Sequence, residues 1–93
     1  MVKSFIDIII LGRLRNVPSS GYDIVGYIYR RKGVLLSPGT VYAALYSLER
    51  NGLINGRSES RKRVYQITRE GLRYLEAILR NSDVIIEDNG GYP

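Results

Sequence analysis

The sequence Ser37–Gly52, SPGTVYAALYSLERNG, contains a helix complete with its start, its stop and two unlike faces. Ser37 is a strong N-cap residue, whose hydroxyl accepts from an amide of the first turn. Pro38 follows at the first helical position, where a missing N–H costs nothing. Gly52 stands where a left-handed residue closes a helix. Between them Val41, Ala44, Leu45 and Leu48 recur at i, i+3, i+4 and i+7, one apolar stripe for a core. Gly39, Ala43, Tyr46 and Arg50 point the other way, flanked by Thr40, Tyr42 and Ser47. A plain solvent face would carry Glu and Lys pairs at i, i+4. This face instead offers small residues that permit close approach, with hydroxyls and a guanidinium for adaptable hydrogen bonds. Such a face suits a DNA major groove. The competing reading is a helix packed under a loop or a second subunit.

Upstream, Lys3 to Arg15 reads as a first helix. Ile6, Ile10 and Leu14 form one stripe with Phe5 and Ile9 beside it, while Ile8 and Leu11 lie off it. A helix apolar almost all round has two sides to bury. The second side is expected at a subunit interface, although a wrapping C-terminal helix would serve equally. Gly12 lowers helix propensity by about 1 kcal/mol relative to Ala, which points to a close helix crossing. Asn16 to Ser20 reads as a loop. Ser20 and Asp23 have the spacing of a capping box and open a second helix that runs to about Arg31 and buries Ile24, Val25 and Ile28. Gly33 stops it. The cluster Arg30, Arg31 and Lys32 suits the negative end of that helix dipole better than a DNA contact. Val34 to Leu36 then lead straight into Ser37, and two helices so joined form a helix-turn-helix.

Downstream the period changes to two. Leu53 to Glu59 and Lys62 to Thr68 read as strands around a tip at Ser58 to Arg61, with Tyr65, Ile67 and Ile54 on one face. Arg57, Arg61, Lys62 and Arg63 make this hairpin basic, as a wing touching phosphates or the minor groove would be. A solubilising edge is the alternative. Thr68 caps a last helix with Leu72, Leu75 and Leu79 on its stripe and Tyr74 and Ile78 alongside. It is clear to about Arg80. Residues 1–80 read as one domain and residues 81–93 as an acidic tail, in which Asn81, Ser82 and Asp83 either end the helix or let it continue through Val84 to Ile86 before a frayed end.

The whole chain has 93 residues, 44% of them hydrophobic and 25% charged, which is an ordinary globular composition. Net charge is +5, but residues 1–80 hold fourteen basic against six acidic side chains, a net of +8 that favours a polyanionic partner. With neither Cys nor His, the sequence lacks the usual transition-metal ligands and the commonest acid–base catalyst. Its carboxylates are scattered, and no Gly-rich phosphate loop or nucleophile with a base at hand occurs. No enzyme activity and no cofactor are expected. The apolar run Ile8 to Leu11 is far too short to span a bilayer, so the default is a cytoplasmic protein without a membrane partner.

Several of these pieces recur together in one family. SPGTVYAALYSLERNGLI followed by RKRVYQITREGLRYL resembles the PadR-like winged-helix transcriptional regulators. In that family Ser-Pro-Gly-Thr opens the recognition helix, a Tyr follows shortly, and Leu-x-x-Leu-Glu-x-x-Gly-Leu-Ile closes it. A Tyr-x-(Leu/Ile)-Thr-x-x-Gly stretch ends the wing, here Tyr65 to Gly71. Ile10-Leu11-Gly12 and Ser20-Gly21-Tyr22-Asp23-Ile24 match as well, so the resemblance covers roughly residues 4–80.

The resemblance implies a mainly α fold with a small β-hairpin, in the order α-α-α-β-β-α. It also implies a DNA-binding dimer that usually represses transcription. The long C-terminal helical domain that lines an effector pocket in many members has no counterpart here, so an effector is not expected. The residues expected at DNA are Ser37, Thr40, Tyr42, Ala43, Tyr46, Ser47, Arg50, Arg57, Arg61, Lys62 and Arg63. Those expected at a dimer interface are Ile8, Leu11, Tyr74 and Ile78. The alternative function is a protein-interaction module whose partner is bound by Tyr42 and Tyr46.

Overall fold

The computed structural model describes residues 4–80, and the acidic tail expected at 81–93 lies outside the described residues. Its elements are α1 (Phe5–Asn16), β1 (Ser19–Ser20), α2 (Gly21–Lys32), α3 (Pro38–Arg50), β2 (Ile54–Glu59), β3 (Lys62–Ile67) and α4 (Arg69–Arg80). The expected order holds with one addition. Ser19 and Ser20, expected in a loop, pair antiparallel with Tyr65 and Val64 and extend the hairpin to a sheet of order β1-β3-β2. A strand of two residues carries no period, so its sequence leaves no mark.

Local chemistry sets the helix ends. Ser4 and Asp7 form a capping box at the head of α1, with Ser4 Oγ accepting from the Asp7 amide at 3.2 Å and Asp7 Oδ2 accepting from the Ser4 amide at 3.3 Å. That box starts the helix two residues later than expected. Ser20 and Asp23 repeat it on α2 at 3.0 and 3.1 Å. The Ser20 amide, helped by its hydroxyl, holds the Asp23 carboxyl below its usual range. Ser37 Oγ accepts from the Thr40 amide at 3.2 Å, with Pro38 next to it. Gly33 and Gly52 close α2 and α3 at φ of 69° and 77°, a conformation glycine adopts without strain.

The core corrects one expectation. α1 runs through the middle of the fold and touches α2, α3, β3 and α4. Ile8 and Leu11, expected at a subunit interface, are 8% and 0% exposed within a single protomer. The helix-turn-helix covers one side of α1, and β3 with α4 close over the other. An all-round apolar helix is therefore satisfied without a second copy. Val41, Leu45 and Leu48 of α3 and Leu75 of α4 complete this core.

One threonine fastens the second half of the molecule. Thr68 Oγ1 donates to the Gly52 carbonyl at 2.7 Å and accepts from the Gly71 amide at 3.0 Å, capping α4. Its own amide donates to the Leu53 carbonyl at 3.1 Å. A Cβ at Gly71 would overlap that same Leu53 carbonyl oxygen, so the first turn of α4 can seat only around glycine. The Thr-x-x-Gly spacing is thus a joint between the end of α3 and the start of α4.

Candidate nucleic-acid interface

The two faces of α3 separate as its periodicity predicts. Val41, Leu45 and Leu48 are fully buried, and Ala44 is half-buried against them. Gly39, Thr40, Tyr42, Ala43, Tyr46, Ser47 and Arg50 are exposed, as is the capping Ser37, and Tyr46 reaches 67%. The Ser37 and Thr40 hydroxyls lie 2.9 Å apart and share a hydrogen bond. Tyr42 has a second occupation. A Cβ on Gly21 would stand 2.5 Å from its ring, so the ring packs against the start of α2 and links the two helices.

The wing is a tight hairpin. Ile54 faces Ile67, Gly56 faces Tyr65 and Glu59 faces Lys62, leaving Ser60 and Arg61 as a two-residue turn. Both turn residues have positive φ, 47° and 70°, the arrangement of a type I′ turn. Alternation divides the basic residues that sequence grouped together. Arg63 shares a face with Gly56 and Tyr65, whereas Arg57 and Lys62 share the opposite face, and Arg61 occupies the tip.

Their electrostatic states differ as well. Arg57 is paired with Glu59 at 3.0 Å on its own strand. Arg63 Nη2 donates to Glu49 Oε2 of α3 at 2.9 Å, and its guanidinium lies 5.8 Å from the Tyr65 ring centroid. Burial pushes the Tyr65 hydroxyl up, an effect the adjacent Arg63 opposes. Among the described residues Arg50, Arg61 and Lys62 form no ion pair with a carboxylate. Lys62 nevertheless helps to hold the Asp23 carboxyl down, so part of its charge is answered within the domain.

Three residues of this surface escaped sequence reading. Gly21 makes room for Tyr42, and Gly56 makes room for Arg63, whose Nε would lie 2.7 Å from a Cβ there. Glu49 bonds both Arg63 and the Gly56 amide, the latter at 3.0 Å. A signal was present, because a glycine in mid-strand marks a close approach.

A helix-turn-helix whose second helix shows a small, hydroxyl-rich face beside a basic hairpin defines a winged helix-turn-helix domain. Residues 10–77 match the transcriptional regulator PadR-like family, and the chain belongs to that family, whose members are regulators and not enzymes. No curated protein matches the chain. Among solved structures, a PadR family transcription regulator from hypervirulent Clostridium difficile R20291 is 30% identical at a TM-score of 0.76, covering 83% of this chain and 85% of that one. A transcriptional regulator from Clostridium thermocellum is also 30% identical, with a TM-score of 0.75 and 86% of each chain covered. Bacillus subtilis PadR, solved in complex with operator DNA, is 28% identical at a TM-score of 0.77. That match covers 88% of this chain and 50% of PadR. Among the described residues no helix is long and apolar enough to cross a membrane.

Proposed function

We propose that this protein binds specific double-stranded DNA as a homodimer and represses transcription, with α3 in the major groove and the wing on the backbone or minor groove. The observation that carries the reading is the exposed face of α3 flanked by Arg50, Arg61 and Lys62, three cations without an ion-paired carboxylate among the described residues. The likeness to Bacillus subtilis PadR, solved in complex with operator DNA, supports DNA as the partner. Thr40, Tyr46, Ser47 and Arg50 read base edges, while Ser37 and Ala43 let the helix approach closely. Arg61 and Lys62 meet phosphates. Arg57, already paired on its strand, adds less, and Tyr42 sets the helix against α2. On this reading the protein works in the cytoplasm. Selecting bound fragments from a random duplex pool tests it. The expected result is an inverted repeat bound with steep salt dependence, and a pool that shows no preferred sequence would reject it.

The dimer rests on α4. Tyr74, Ile78 and Leu79 are only half-buried, and burial together with the nearby Asp7 carboxylate pushes the Tyr74 hydroxyl up. Tyr74 is thus a neighbour of the first turn of α1, where Phe5 is 57% exposed. A two-fold partner seated on Phe5, Tyr74 and Ile78 would present two recognition helices to half-sites about 34–36 Å apart, or a multiple of that. Ile78→Glu should sediment as a monomer where the wild type runs as a dimer. Ile8→Glu would be uninformative, because it buries a charge in the core.

A further inference from the structure

We infer that Glu49 is a positioning residue for DNA reading: its carboxylate fixes the angle between α3 and the wing, with Arg63 as its tether. The inference rests on the proposed function of DNA binding. Glu49 sits on the last turn of the recognition helix, and its side chain is only 29% exposed. One oxygen, Oε2, accepts from Arg63 Nη2 at 2.9 Å and from the Gly56 amide at 3.0 Å. These two donors belong to the two different strands of the wing.

β2 is an edge strand, so alternate amides face away from β3. The Gly56 amide is one of those, and Glu49 satisfies it where open edges usually meet water. Gly56 has no side chain, and the Arg63 guanidinium crosses the strand through the space a Cβ there would fill. The arrangement also explains how an acidic residue can stand next to Arg50 on a surface meant for phosphate. Its charge is answered by Arg63, which is half-exposed but turned toward the helix. The remaining cations keep their outward field.

A fixed angle sets the distance between bases read by α3 and the backbone touched by Arg61 and Lys62. Breaking the tether should therefore impair sites that engage both elements and spare sites that engage one. The variants are Glu49→Ala, Glu49→Gln, Arg63→Ala and the Ala double, each checked by thermal melting. The probes are a selected duplex, the same duplex cut short by the base pairs under the wing, and a random duplex.

For Glu49→Ala the expected weakening on the selected duplex is about three- to tenfold. Little change is expected on the other two probes, and the salt slope should stay constant. The double variant should match Arg63→Ala alone, because both changes break one link. Glu49→Gln keeps the acceptor shape without the charge, should fold, and should fall between wild type and Glu49→Ala. Tighter binding of Glu49→Ala to all three duplexes would overturn the inference, since Glu49 would then act only as a repelling charge. So would a salt slope flattened by ~0.9 in Arg63→Ala, which would make Arg63 a phosphate contact. A wild type that binds no duplex would instead overturn the proposed function itself.

Discussion

The recognition helix and the wing sit side by side and obey opposite rules. α3 follows local preference throughout, with Ser37 at its cap, Pro38 in its first turn and Gly52 just past its end. The wing departs from local preference three times. It has a glycine in mid-strand, two non-glycine residues at positive φ in its turn, and an arginine turned back toward the helix. Departures of this kind collect where function constrains the chain more than folding does. The contrast teaches a division of labour. On the proposed function the helix supplies a template set by its own local sequence, and the wing supplies placed charge at some cost in stability.

The largest expected effect removes that charge. Arg61→Ala with Lys62→Ala should weaken selected and random duplexes alike, by about 1.5–3 kcal/mol for each charge-assisted hydrogen bond removed. The slope of log K against log salt should fall by ~0.9 for each phosphate no longer neutralised, as fluorescence titration across salt concentrations would record. Because Arg63 is tethered to Glu49, adding Arg63→Ala should flatten the slope no further. Equal slopes for the double variant and the wild type would leave the wing without an electrostatic part.

A smaller effect is expected on the helix side, and in a different quantity. Tyr46→Ala or Ser47→Ala should narrow the gap between selected and random duplexes by about 1–3 kcal/mol for each base edge left unread, with the salt slope preserved. Neither change should alter the melting temperature by much, since both side chains are exposed. If specificity survived every substitution on this face while wing variants abolished it, the two regions would have to exchange roles.

How far each region can be read from sequence follows from where its determinants lie. The ends and buried stripe of α3 depend on residues within the helix, so Ser37, Val41, Leu45, Leu48 and Gly52 announce them. The depth of α1 depends on how many neighbours close around it. Ile8 and Leu11 look alike whether a second copy or α4 covers them. The wing lies between these cases. Its period of two already separates Arg63 from Arg57 and Lys62, yet the partner that holds Arg63 is fourteen residues away on another element. No local pattern reports that pairing. β1 is the extreme case, two serines made into a strand only by the neighbour they meet.

The smallest expected effect concerns the turn and can sharpen the contrast most. Ser60 and Arg61 both take positive φ, where an L-residue crowds its own carbonyl and glycine does not. Relief of one such strain is offset in part by the greater freedom glycine gains in the unfolded chain. Arg61→Gly should therefore stabilise the domain by a net of about 0.5–1 kcal/mol, seen as a rise of ~2–8 °C in melting temperature. The same variant should bind every duplex more weakly, because the cation at the tip is gone. Ser60→Asn separates the two effects. Asn tolerates the left-handed region better than Ser and leaves Arg61 in place, so it should raise the melting temperature slightly with affinity unchanged. A melting temperature that fell in Arg61→Gly would mean that the guanidinium supports the hairpin, and the turn would then be an ordinary stabilising contact instead of strain held for binding.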